Sequence, residues 1–161
     1  MNTRLAVLAT ATALLAACVS QPHPLQGEFA QITPRDAAAA DSTGAVVRWG
    51  GRIVDLEPHD NRTCFEMIST RLTNTGHPYW ASDDVGGRFI ACRTGFYDPA
   101  QFQKNREVTF TGRVAGYENR RIGQYDYRFP RVEADVVHLW PIREGVSKVT
   151  RPAPWPWWGW W

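Results

Sequence analysis

From Ala45 to Trp140 the chain alternates apolar and polar residues with the two-residue period of a β-strand, broken by clusters of turn formers. Val47, Trp49 and Ile53 alternate with Arg48 and Arg52, and Gly50-Gly51 between them predicts a bulge or sharp bend. Residues 63–70 and 88–94 read as a second and a third strand. The loop between them contains Asn74, Gly76, Pro78, Asp83, Asp84 and Gly86-Gly87, which all favour turns. In the clearest run, 107–117, Val108, Phe110 and Val114 face one way, opposite Glu107, Thr109, Thr111 and Arg113. Gly112 and Gly116 fall on the apolar side, where a strongly coiled sheet needs room. A last strand, 125–140, opens with Tyr125, Tyr127 and Phe129. After Pro130 the apolar set moves to Val132, Ala134 and Val136, which predicts a bulge or corner at the proline.

Two helical signals accompany the strands. Thr33-Pro34 can serve as N-cap and first helical residue ahead of Arg35-Asp36 and four alanines. Asp98-Pro99 has the same form ahead of 100–104, between the third and fourth strands. Three strands, a short helix and two more strands is the element order of an OB-type barrel. The expected fold is therefore all-β: a small, OB-like β-barrel of five main strands with one short helix between the third and fourth.

The N-terminus carries an address. Arg4 is followed by an uncharged run of Leu, Ala, Val and Thr from Leu5 to Leu15, the h-region of a secretory signal and too short to span a bilayer stably. Leu15-Ala16-Ala17-Cys18 then resembles the lipobox at which diacylglycerol is attached to the cysteine before cleavage. Each buried methylene of such a lipid contributes about 0.8 kcal/mol, and two or more chains give stable anchoring. Val19, where Asp would signal retention in the inner membrane, directs the expectation to the outer one. The layout is then a signal peptide at 1–17, a lipidated N-terminus and tether at 18–44, a β domain at 45–142, and a Pro/Trp-rich tail at 143–161.

Removing Arg4 leaves Lys and Arg nearly balanced against Asp and Glu, which number 18 and 16 in the whole chain. That balance argues against a nucleic-acid partner, which calls for a clustered basic patch. With Cys18 lipidated, Cys64 and Cys92 remain. An oxidising compartment favours a disulfide between them, and two buried thiols are the alternative.

The stretches Val46-Val47-Arg48-Trp49-Gly50-Gly51-Arg52-Ile53, Gly87-Arg88-Phe89-Ile90-Ala91 and Gly95-Phe96-Tyr97-Asp98-Pro99 resemble the Slp family of starvation-inducible outer-membrane lipoproteins. So do residues 108–116, Tyr125-Asp126-Tyr127-Arg128-Phe129-Pro130 and Leu139-Trp140, in the same order along the chain. The resemblance implies outer-membrane attachment, passage through the lipoprotein export machinery and a link to starvation physiology. It brings no catalytic residues, and Lys104-Asn105-Arg106 departs from the family's Gly-Arg at that turn.

Candidate sites follow from residue chemistry. Trp155, Trp157, Trp158, Trp160 and Trp161 crowd the last seven residues behind Pro152, Pro154 and Pro156, which forbid a regular helix. Tryptophan favours the bilayer interface, so the tail is expected to contact membrane, glycan or another envelope protein. Folding back over an open barrel end is the competing reading. Trp49, Tyr125 and Tyr127, with the nearby arginines, are candidates for a ligand face on an OB-like surface. His23, His59, His77 and His138 lack metal-ligand spacing, and no hydrolase or phosphate-loop motif is present. The expectation is a non-enzymatic envelope protein without a cofactor other than its lipid; a glycan-, peptide- or small-molecule-binding module is the rival.

Overall fold

The computed structural model describes residues 21–81 and 83–142. Five strands carry the fold: β1 (Val46–Pro58), β2 (Arg62–Thr70), β3 (Val85–Thr94), β4 (Glu107–Ile122) and β5 (Tyr125–Leu139). They close in the order β1-β2-β3-β5-β4, and β4 returns to pair with β1. All pairings are antiparallel except β3 with β5, which is parallel. This is the connectivity of an OB-type Greek-key barrel.

Closure depends on β1 serving two neighbours. Its first half pairs with β4 and its second with β2, and the two pairings overlap at Gly50, Gly51 and Arg52. The strand coils so strongly there that the β2 backbone crosses over it. A Cβ on Gly51 would stand 1.9 Å from the Ile68 carbonyl oxygen. The expected bulge lies elsewhere: Gly50 and Gly51 stay in register, and the shift falls between Ile53 and Asp55. Before it Val47, Trp49 and Ile53 point into the core; beyond it Leu56 does. Gly112 makes the matching close approach on β4, where a Cβ would be 2.2 Å from the Glu133 carbonyl oxygen.

Inside the ring, Phe65, Phe89, Phe110 and Met67 are fully buried with Val47, Val108, Val114 and Val132. Phe65 meets the Phe110 ring at 5.2 Å and Trp49 meets Phe89 edge-on at 5.3 Å. Edge-to-face contacts of this kind contribute about 0.5–1.5 kcal/mol each beyond area burial. The barrel interior is packed.

A second apolar cluster lies on the outer face. Cys64, Ile90, Cys92 and Phe129 are buried there, with Ile122 and Tyr127 against them. This cluster accounts for the change of pattern at Pro130. Tyr127 and Phe129 pack outside the ring, whereas Val132 packs inside, so the strand runs through the proline in unbroken alternation. The register breaks actually lie between Val114 and Gly116 on β4, and at the Thr111/Gly112 step, where Asp135 of β5 is passed over.

No helix forms between β3 and β4. Residues 98–102 make a turn in which the Gln101 and Phe102 amides donate to the Asp98 carbonyl and the Ala100 amide donates to the Asp98 carboxylate. Asn105, at φ 68°, then turns the chain into β4. So short a stretch cannot recover the cost of nucleating a helix. The segment packs instead as a turn: Tyr97 and Phe102 meet Phe65 edge-on at 5.4 and 5.5 Å and close that end of the barrel.

The segment expected to be a tether is built into the domain from Leu25 onward. Leu25 and Ala37 are fully buried, and Ile32 packs against the core. The helix α1 (Pro34–Ala39) forms where Thr33-Pro34 predicted it, with a reciprocal cap between Thr33 and Asp36. That hydrogen bonding to Thr33 holds the Asp36 carboxyl below its ordinary range. Composition suggested a spacer because the segment has few large apolar residues. Small ones suffice when the surface they cover is already apolar.

Candidate functional site

The sequence candidates separate in space. Trp49 is 5% exposed, and its indole N–H donates to the Ile32 carbonyl at 2.7 Å. It fastens the N-terminal segment to β1 and is a core residue that also lines the groove beside that segment, apart from the tyrosines. Tyr125 and Tyr127 stay together on the β4–β5 hairpin, with ring centroids 6.4 Å apart. Tyr127 is half-buried, stacks on Phe129 at 4.8 Å and accepts the Arg88 amide through its hydroxyl. Tyr125 is 69% exposed. Cys18 and the five tail tryptophans lie outside the described residues.

Two of the arginines beside these tyrosines are engaged in structure. Arg120 binds both Glu57 oxygens at 2.6 and 3.2 Å and Glu118 at 2.7 Å. Burial alone would lower its pKa, but the two carboxylates outweigh it and raise the value. Arg128 lies 3.6 Å over the Tyr117 ring and donates to the Ala38 carbonyl. The Tyr117 hydroxyl donates to the Ala40 carbonyl and accepts the Ser42 amide. Tyr117 and Arg128 thus clamp the N-terminal segment to the β4–β5 hairpin.

Cys64 and Cys92 are direct cross-strand partners on β2 and β3, with sulfurs 2.09 Å apart. The bridge lies under Phe129 in the outer cluster. Among the described residues, no three His, Cys, Asp or Glu side chains form a set able to hold a metal, and no helix is long and apolar enough to cross a membrane.

Two grooves remain. One, of about 440 Å³, runs between residues 29–36 and the β1–β2 edge, with Arg35, Arg48, Asp36 and Asp84 on its walls. The other, of about 520 Å³, lies between the β2–β3 loop and the end of β5, against Tyr79, Trp80, Trp140 and Ile142. Trp140 organises this second region. Its indole N–H donates to the Thr109 hydroxyl, which donates in turn to the Gly76 carbonyl. Its ring packs at 4.5 Å on His77 and 4.4 Å on His138. His77 places Nε2 3.3 Å from Glu107, which also meets Arg52 at 3.6 Å. Burial, reinforced by nearby His77, lowers the pKa of His138.

Arg52 lies 4.3 Å over the Trp80 ring and Arg71 lies 5.8 Å over the Tyr79 ring. The Trp80 indole N–H is buried without a hydrogen-bond partner. Sequence reasoning singled out none of these aromatics as a site. Pro78-Tyr79-Trp80 inside a turn-rich loop was the available signal, since large aromatics are unusual in such a loop.

A closed OB-type barrel with an N-terminal segment folded onto it, behind a sequence that resembles a secretory leader with a lipobox, matches one class: envelope lipoproteins with one small β domain. Comparison narrows the class. The model of the outer membrane lipoprotein Slp family matches residues 15–161, and the chain belongs to that family. It is 31% identical over 134 residues to an uncharacterized protein of Haemophilus influenzae, covering 80% of this chain and 71% of that one. Outer membrane protein Slp of Escherichia coli is 26% identical over 150 residues, covering 90% and 79%. The uncharacterized lipoprotein YeaY of the same organism is 26% identical over 149 residues, covering 88% and 75%. The protein is an outer-membrane lipoprotein.

Proposed function

We propose that the β domain serves the envelope as a lipid-held scaffold, making contacts at its surface and carrying out no reaction. The packed interior supports this most directly. Phe65, Phe89, Phe110 and Met67 fill the ring where a larger barrel would hold a ligand, and Trp49 is part of that packing. His77, Glu107 and His138, two histidines and a carboxylate, are tied to Trp140 and Arg52 in a contact network.

The test is complementation of a deletion strain in stationary phase, scored by detergent sensitivity of the outer membrane. The intact chain should restore resistance, whereas Cys18→Ala, exported but unlipidated, should not. Full rescue by the unlipidated chain would refute a role that depends on attachment.

A binding module is the second reading, and the 440 Å³ groove favours it, being within the usual size range of small-ligand sites. A glycan or peptide that raises the melting temperature of the wild-type protein but not of Arg35→Ala and Arg48→Ala would establish it.

A further inference from the structure

The two ends of the described chain both lie against the β2–β3 loop. At the N-terminal end, the Gln21 side-chain amide lies against Gly76, 3.2 Å from where a Cβ on that glycine would stand. Cys18 is three residues earlier, so a lipid on it is at most about 10 Å of extended chain from Gln21. At the other end, Ile142 lines the groove with Pro78, Tyr79 and Trp80 of the loop that contains Gly76. Gln21, this loop and Ile142 therefore lie at one end of the barrel.

The chemistry of that end suits a bilayer interface. Tyr79 is 43% exposed and Ile142 is 70% exposed, a combination that water alone does not favour. Arg71 and Arg52 stack on Tyr79 and Trp80, so each pairs an apolar ring with a guanidinium that can reach a phosphate. Aromatic rings flanked by arginines are the composition of membrane-interface belts. Asp84 and Glu107 partly offset the positive charge, through contacts of 3.7 Å to Arg71 and 3.6 Å to Arg52. Insertion of rings is thus a larger part of the contact than net attraction.

We infer that the face formed by Tyr79, Trp80, Arg52, Arg71 and Ile142 rests on the phospholipid surface, fixing the orientation of the barrel on the membrane. The inference rests on lipid attachment at Cys18. The opposite end, where Phe96 is 72% exposed just after β3 and next to Gly95, whose amide donates to Asn61 of the β1–β2 turn, then points away from the bilayer. The nine residues of β2 separate the two ends by roughly 30 Å.

The test uses the full lipidated chain in vesicles of phosphatidylethanolamine and phosphatidylglycerol. Tyr79→Cys, Ile142→Cys, Phe96→Cys and Tyr125→Cys are each labelled with an NBD maleimide without reduction. The same four variants are also made in the unlipidated Cys18→Ala chain and measured in solution. Labels at 79 and 142 should shift to the blue and gain roughly twofold in intensity on vesicles, as expected for an apolar face entering the headgroup boundary. Labels at 96 and 125 should not change. Equal responses at all four positions would overturn the inference. So would blue-shifted emission at 79 and 142 already present in the soluble chain, which would mean that the tail covers the groove. A lipidated chain that floats with vesicles while its labels stay unresponsive removes the orientation alone. A chain that does not float removes the anchor and the orientation together.

Discussion

Replacing Trp49 with Phe separates a core residue from a ligand contact. The indole is buried, touches Phe89 edge-on and donates its N–H to Ile32 at 2.7 Å. Phenylalanine keeps an aromatic ring in the core but loses that hydrogen bond, which contributes about 1 kcal/mol, more if the Ile32 carbonyl finds no water. The smaller ring also gives up roughly 40 Å² of apolar contact, about 1 kcal/mol more at 25 cal/mol per Å². The expected loss is about 2–3 kcal/mol, a large part of the 5–15 kcal/mol that ordinarily holds a domain together. Urea unfolding of the unlipidated chain would read this as a midpoint lower by roughly 1–2 M at unchanged slope. Limited proteolysis should also cut between residues 25 and 44 faster in the variant, because Trp49 is one of the pins of that segment. A loss below about 0.5 kcal/mol, the range of ordinary surface changes, would refute the placement of Trp49 in the core.

Other consequences can be measured separately. Gly51→Ala drives a Cβ into the Ile68 carbonyl and should cost more than about 2 kcal/mol, whereas Gly95→Ala, with open space around it, answers only for its backbone angle; comparing their urea midpoints isolates the close approach. Intact mass before and after reduction should show a gain of two hydrogens, and Cys64→Ser with Cys92→Ser should lose roughly 3–4 kcal/mol by chain entropy across 28 residues; an unchanged mass would show free thiols. The lowered pKa of His138 means that folding favours its neutral form. Its contribution is therefore complete above the unfolded value near 6.5, declines as pH falls through the window between the unfolded and folded values, and levels off below the folded value. His138→Gln should flatten that part of the stability–pH curve, and a curve of unchanged slope would rule out His138 as its source.

The sequence by itself determined the strands and the family. Period-two alternation is a local property, so it located all five strands to within a few residues except at the far ends of β1 and β4, and Thr33-Pro34 located α1 because capping is equally local. The lipobox is read in the extended chain before folding, so no tertiary information was needed for it. Ring closure, in contrast, depends on which strands become neighbours. Only the tertiary structure decided that β1 is shared by β2 and β4, that its bulge lies past Ile53 and not at Gly50-Gly51, and that β5 passes straight through Pro130. The pattern at the proline misled because a strand can be apolar first on its outer face and then on its inner one. Alternation reveals a face but not which layer covers it. Residues 25–44 appeared to be a spacer because their composition is polar and small, yet Leu25, Ile32 and Ala37 find an apolar surface already formed by distant strands. The gathering of Gln21, Gly76, Tyr79, Trp80, Trp140 and Ile142 at one end has the same origin: their separation in sequence is bridged by sheet pairing, and pairing energies are not written in any single segment.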